Sequence, residues 1–301
     1  MATGVSAPSI SAPDSRRRLA SLAAGFYGAR VNPQVTALVH YDGCKGAETL
    51  ESQSVTSESE GGSKSDSGLT IAFQPIADIS GNRVYAYEAI IRGPNGETAT
   101  QIFESLSPEA KVSFDQRCAA GAIRWAMSAG LGTSGARLLI PVQAESIHAP
   151  AEHLEPILRV SRLSGLIPER LIFGLDGYRQ LSGPHLAEII DVHRKAGPLT
   201  AFSGLGPGHA GLALCGRYLP DLVILESELV SAIASSWSRR LVLEDLTPRI
   251  RSLGLKVIAT GVDSEPVLQR LRGYGITLVQ GEEIASPAVR TLPTPTLRRA
   301  A

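Results

Sequence analysis

The chain has 301 residues, enough for one large α/β barrel or two ordinary domains, and its 29 Lys and Arg residues balance 29 Asp and Glu residues. Zero net charge argues against a nucleic-acid-binding surface over the whole chain, and no apolar run approaches the ~20 residues that span a bilayer, so neither nucleic acid nor membrane is an expected partner. The three cysteines (Cys44, Cys118 and Cys215) lie far apart, which favours a reducing cytoplasm over a disulfide framework or a zinc site.

The first part of the chain is predicted to lack a hydrophobic core. Residues 51–68 are rich in Ser, Gly and acidic side chains and cannot bury enough apolar surface to become ordered. We therefore predict that residues 1–68 are a largely disordered segment and linker, in which residues 15–41 form a separate docking segment. The globular part is predicted to span residues 69–290, followed by a tail at 291–301.

From Leu69 onward, short β-like runs alternate with helical patterns. The predicted strands are Thr70–Ile76, Val84–Ile91, Arg137–Val142, Arg170–Leu175, Leu199–Ser203, Asp221–Leu225, Leu255–Thr260 and Thr277–Gly281. A short turn joins the first two, so they should form an antiparallel hairpin. Eight apolar strands with helices between them predict an α/β protein with a modified (β/α)8 barrel, whose functional residues lie at the carboxyl ends of the strands.

Three motifs, in this order along the chain, resemble the EAL domain family. They are AFQPIADISGNRVYAYEAIIRGPNGE, with Glu88-Ala89-Ile90 at the name-giving position, then FDQRC, and finally KVIATGVDSEPVLQRLRGYGITLVQG. RGPNGE and FDQRC are similar to the branch that includes blue-light-regulated EAL proteins. The resemblance implies an EAL-type barrel and, in active members, hydrolysis of cyclic di-GMP with two Mg²⁺ or Mn²⁺ ions and a metal-activated water.

The resemblance also places the family's site residues on this sequence, and most of the required side chains are missing. Glu88 and Gln280 match the family. The ligand Asn and Glu of the third and fourth strands fall on Pro141 and Gly174, and the paired Asp residues of the fifth fall on Ser203 and Gly204. The sixth strand has Ile224 for Lys and Glu226 for Asp, and the seventh has Thr260 for Glu, with Asp263 at its second acidic position.

Hard divalent cations need several oxygen ligands, mostly carboxylates, and Glu88 and Gln280 alone cannot supply them. We therefore predict no catalytic residues, no metal ligands and no cofactor, with Mg²⁺ or Mn²⁺ relevant only to a residually active site. The residues of this vestigial pocket are Glu88, Ser203, Gly204, Glu226, Thr260, Asp263 and Gln280. Gln74 and Arg92 match positions that contact the dinucleotide in the family, and the Arg side chain suits phosphate recognition.

The sequence is therefore interpreted as a catalytically inactive EAL-domain protein that binds an unknown regulatory protein in signalling linked to cyclic di-GMP. The resemblance implies that it can pair as a homodimer through helices near the fifth and sixth strands. One alternative is a cyclic di-GMP receptor that does not hydrolyse its ligand. A third hypothesis is a residual metal-dependent phosphodiesterase that uses Glu88, Glu226, Asp263 and Gln280.

Overall fold

A computed structural model describes residues 68–296, apart from the side chain of His209. The predicted leader up to residue 67 and the final residues 297–301 lie outside the described residues. Within the described range, no helix combines the length and the apolar character needed to cross a bilayer.

Nine strands of the described chain form one sheet that closes into a barrel. They are β1 Thr70–Asp78, β2 Arg83–Arg92, β3 Arg137–Gln143, β4 Leu171–Asp176, β5 Leu199–Leu205, β6 Leu222–Leu225, β7 Lys256–Ala259, β8 Leu278–Val279 and β9 Ala288–Val289. Neighbours from β2 to β8 run parallel, and β1 closes the barrel by antiparallel pairing with both β2 and β8. The predicted barrel with an antiparallel first hairpin is confirmed, and the short β9 pairs with β1.

Eight helices of the described chain pack around this sheet. They are α1 Ala99–Glu104, α2 Pro108–Ser128, α3 Pro150–Leu163, α4 Gly183–Ala196, α5 His209–Tyr218, α6 Ser227–Ser231, α7 Trp237–Ser252 and α8 Glu265–Gly273. Two of these helices begin at capping residues that the sequence supplies. Ser107 caps α2 ahead of a Pro at its first turn, and Thr98 and Gln101 form a reciprocal capping box on α1.

The hydrophobic core has two layers, as expected for a barrel covered by helices. Inside the barrel, ten buried residues from β1 to β8 pack against one another, among them Ile76, Leu139, Ile172 and Ile258. A larger layer fills the space between the sheet and the helices. Because both faces of the sheet are covered, β4 and β6 are buried almost throughout, which explains their continuous apolar sequences.

The end of the described chain returns to the barrel. The backbone nitrogen of Thr296 donates to the carbonyl oxygen of Ile284 at 2.9 Å, and the hydroxyl of Tyr87 on β2 donates to the carbonyl oxygen of Pro293 at 3.3 Å. Residues 291–296, which the sequence assigned to a tail, thus contact the body of the fold.

Candidate functional site

A cavity of about 710 Å³ opens at the carboxyl ends of the barrel strands, where the sequence analysis placed the vestigial pocket. This volume lies within the range of small-molecule sites in proteins. The predicted residues that line it are Gln74, Glu88, Ser203, Gly204, Glu226, Thr260 and Gln280, together with Pro141 and Ile224 at altered family positions. The barrel therefore brings most of the predicted site residues together.

Two predicted residues lie elsewhere. Asp263 lines a smaller neighbouring cavity that also touches Gln74. Arg92 is exposed at the end of β2, and its Nη1 atom donates to the carbonyl oxygen of Ile91 at 3.0 Å. Neither side chain is part of the wall of the main cavity.

Glu88 is held inside the cavity by a neighbouring amide. It lies opposite Gln74 in the β1–β2 register, and the Nε2 atom of Gln280 donates to its Oε2 atom at 2.6 Å. Burial raises the pKa of the Glu88 carboxyl group, and the Gln280 hydrogen bond and the charge of Arg92 oppose that shift. The carboxyl group is thus partnered within the protein.

Polar side chains at two other site positions are bonded to backbone. The Oγ1 atom of Thr260 donates to the carbonyl oxygen of Leu225 at 3.0 Å, at the end of β6. The Nε2 atom of Gln74 donates to the carbonyl oxygen of Ala285 at 3.0 Å. These hydrogen bonds satisfy backbone groups of the barrel rim, which is a structural role.

Two altered positions, Gly174 and Glu226, are crowded, whereas a β-carbon on Gly204 would meet nothing within 4 Å. A β-carbon on Gly174 would lie 3.1 Å from the Oγ atom of Ser203, with Leu139 and Ile224 also within 4 Å. The Glu226 carboxyl group lies directly against Gly206, where a β-carbon would overlap it. A side chain at position 174 would therefore require the Ser203 hydroxyl to move.

Three carboxylates that the sequence analysis missed also line the cavity: Asp115, Asp176 and Glu228. Asp176 is the last residue of β4, so the rule of strand ends could have identified it. The Oδ2 atom of Asp115 accepts hydrogen bonds from the Ser146 hydroxyl and the Gln143 backbone nitrogen, which ties α2 to the end of β3. Burial raises the pKa of the Asp115 carboxyl group to about 6.

The wall of the cavity is strongly acidic. It contains five carboxylates, and none of its described side chains is Lys, Arg or His. Even so, among residues 68–296 no three His, Cys, Asp or Glu side chains converge in a way that could hold a metal ion. The residues present therefore do not fit the two-metal centre that the family resemblance implies.

Comparison with known proteins supports the resemblance. The sequence profile of the EAL domain matches residues 62–287. The chain is 24% identical, over 224 residues, to the blue light- and temperature-regulated antirepressor BluF of Escherichia coli. This alignment covers 74% of the chain and 55% of BluF, so the chain spans about half the length of that relative.

Solved structures agree with the fold. A standalone versatile EAL protein from Vibrio cholerae, in its c-di-GMP-bound form, superposes with a TM-score of 0.70 at 26% identity, covering 76% of this chain and 95% of that one. Klebsiella pneumoniae BlrP1, in a complex with calcium and cyclic di-GMP, superposes with a TM-score of 0.68 at 25% identity, covering 76% of this chain and 58% of that one.

Proposed function

The chain belongs to the EAL domain family, and from this membership we propose that it is a cytoplasmic signalling protein that binds another regulatory protein and does not hydrolyse cyclic di-GMP. Family membership relates the chain to cyclic di-GMP phosphodiesterases and to proteins of the BluF type. An EAL-domain chain can thus act as an enzyme on cyclic di-GMP or as a regulator of another protein.

The observation that carries the proposal is the set of side chains at the strand ends. Pro141, Gly174, Gly204 and Ile224 offer no side-chain oxygen, and the Thr260 hydroxyl is engaged by a backbone carbonyl. Metal-assisted phosphodiester cleavage requires ions that neutralise the phosphate and produce a hydroxide at neutral pH. A cavity without converging ligands cannot place such ions, which supports a role without hydrolysis.

Similarity to an antirepressor supports a protein as the partner. An antirepressor acts on a repressor, so the likeness to BluF favours a regulatory protein over a small molecule. Because the chain covers 55% of BluF, the partner's identity does not follow from the likeness.

The receptor alternative is less well supported, because the cavity has the wrong charge. Cyclic di-GMP carries two negative phosphates, and five acidic residues line the cavity. Negative charges at such short distances repel each other unless a cation lies between them. Arg92, the cation expected to contact phosphate, is not on the wall and donates to its own strand.

The phosphodiesterase hypothesis is also weakened by where its four residues lie. Glu88 and Gln280 are bonded to each other, Glu226 lies against Gly206, and Asp263 lines the smaller neighbouring cavity. A metal centre would need these groups to converge on one point.

The proposal is tested by calorimetric titration of the full chain with cyclic di-GMP, with and without Mg²⁺ or Mn²⁺, followed by chromatography of the nucleotide. We expect no binding heat and no linear product from folded protein, while an active EAL phosphodiesterase in the same buffers yields product. Binding of intact nucleotide that is lost in Arg92→Ala would establish the receptor alternative. Linear product that requires Mn²⁺ and is lost in Glu88→Ala would overturn the proposal.

A further inference from the structure

A second cavity, of about 280 Å³, opens at the opposite end of the barrel. Its wall is formed by the end of β1, the first residues of β2, β7 and β8, and one side of α7. The inner layer of the barrel core separates it from the acidic cavity. Its polar lining residues are Asp78, Ser80, Arg83, Tyr85, Thr247, Arg251, Lys256 and Thr277.

Tyr85 has a hydroxyl group that needs a partner. The residue is only 6% exposed, it lines this cavity, and its hydroxyl makes no hydrogen bond with any described residue. Tyr87, two residues along the same strand, differs, because its hydroxyl donates to the carbonyl oxygen of Pro293. A buried polar group without a partner is costly, and an unseen ion or water is a common explanation.

Two cationic side chains lie over the ring of Tyr85. The Nζ atom of Lys256 lies 5.3 Å from the centre of the Tyr85 ring, and the Cζ atom of Arg137 lies 5.0 Å from it. The buried Nε atom of Arg137 also has no hydrogen-bond partner among the described residues. Two polar groups that can donate a hydrogen bond, but lack an acceptor, therefore lie together at this end of the barrel.

The negative charge on the wall is paired within the protein. Asp78 is its one carboxylate, and it accepts from Arg83 at 3.2 Å and from the hydroxyl of Ser80 at 2.7 Å. Arg251 donates only to a backbone carbonyl, that of Tyr274, and Lys256 makes no ion pair within the described part of the chain. The wall of the cavity thus carries an excess of positive charge, and the Asp221 carboxylate adds one further negative charge near Tyr85.

We propose that this cavity is an anion site that binds a phosphate group, either as free phosphate or as the end of a small phosphate monoester. The Tyr85 hydroxyl donates to the bound oxyanion, and Lys256 and Arg251 supply the charge. The volume suits a small ligand and lies below the usual range for larger organic molecules. The site does not depend on whether the acidic cavity is catalytic.

The test uses the full chain, titrated with inorganic phosphate in one arm and glycerol phosphate in the other, by calorimetry at ionic strength held constant with sodium chloride. We expect saturable binding in at least one arm, and the tighter arm identifies the form of phosphate that the site takes. Tyr85→Phe and Lys256→Gln should each weaken binding by about tenfold, the usual effect of losing a hydrogen bond or charge contact to an anion.

Matched controls separate the site from general effects. Tyr87→Phe removes a hydroxyl from the same strand, and Lys195→Gln removes a cation whose partner is Asp191 on the exposed side of α4. Both should bind phosphate as the unaltered chain does. Tyr85→Phe keeps the buried ring, so its near-ultraviolet circular dichroism should show a native fold. Absence of saturable binding in both arms, or unchanged affinity in Tyr85→Phe, would overturn the proposal.

Discussion

Gln280 and Glu88 are bound to each other across the acidic cavity, with the Nε2 atom of Gln280 2.6 Å from the Oε2 atom of Glu88. Glu88 belongs to β2 and Gln280 follows β8, so the contact spans β1. Glu88 matches the family's first metal ligand and Gln280 matches a kept family position, and here a hydrogen bond joins them. The Oε2 atom of Glu88 is thus partnered by an amide of the protein.

The first prediction concerns metal binding. An ion that binds the folded state at a hundred times its dissociation constant would stabilise it by about 2.7 kcal/mol. Because no ligand set converges in the described cavity, we expect millimolar Mn²⁺ to leave the melting temperature unchanged relative to sodium chloride of equal ionic strength. Glu88→Gln should behave in the same way with and without Mn²⁺. A Mn²⁺-dependent rise that Glu88→Gln abolishes would show that a metal site exists.

The second prediction concerns Asp115 and pH. Burial raises the pKa of this carboxyl group from 3.8 to about 6, against the lowering effect of its bonds to Ser146 and Gln143. Its stabilising contribution is therefore present below pH 4 and is lost as pH rises through 6, which amounts to about 3 kcal/mol. We expect Asp115→Asn to remove this part of the pH dependence in urea unfolding measured between pH 4 and pH 8.

The geometry of Asp115 makes that substitution informative. Both hydrogen bonds reach the same oxygen, Oδ2, so an Asn oxygen can accept both and the fold should be retained. Ser146→Ala is the matched control: it removes a donor that favours the carboxylate, so the loss of stability with rising pH should become larger and extend to higher pH. An unchanged pH dependence in Asp115→Asn would mean that other groups govern it.

The third prediction concerns the crowding at Gly174. A β-carbon there would come within 3.1 Å of the Ser203 Oγ atom, so Gly174→Ala should lower the free energy of unfolding by about 1 kcal/mol. Ser203→Ala removes the obstructing oxygen, so the double variant should recover at least 0.5 kcal/mol relative to the sum of the single effects. Gly135→Ala, which meets nothing within 4 Å, serves as the control and should cost little. Strict additivity at positions 174 and 203 would contradict this account.

Local sequence patterns were sufficient to predict the barrel, because strand runs such as the one around Phe173 on β4 are apolar throughout and β1 and β2 are joined by a short turn. The family resemblance, and not local patterning, indicated most of the predicted residues that line the acidic cavity. Neither could predict that Asp263 lies in another cavity or that Arg92 turns back to Ile91. Those outcomes depend on side-chain directions at the ends of strands, which sequence spacing does not fix.

The unpaired hydroxyl of Tyr85 is a second feature that the sequence did not indicate. Tyr85 and Tyr87 alternate with Ala86 on β2 and look equivalent in sequence, yet only one meets a backbone carbonyl. The difference arises from residues more than fifty positions away, on β3, β7 and the returning end of the chain. Closure of the sheet brings these distant residues together, so their contacts cannot be read from the local sequence.

The last prediction concerns self-association through α7. Trp237 and Leu241 lie one turn apart on this helix and are 67% and 42% exposed, so they form an apolar surface after the sixth strand. The family resemblance favours pairing in this region, and exposed aromatic residues often dominate interfaces. We expect Trp237→Arg to weaken self-association by at least about 2 kcal/mol, roughly thirtyfold, in sedimentation velocity over a range of concentrations.

Leu163→Arg provides the matched control for this experiment. Leu163 is 83% exposed at the end of α3, so its replacement introduces the same charge in an apolar position on another part of the barrel. It should leave self-association unchanged if α7 forms the contact. Equal weakening by both substitutions would point to a general effect of added charge, and a chain that stays monomeric at every concentration would leave the α7 surface to a different protein.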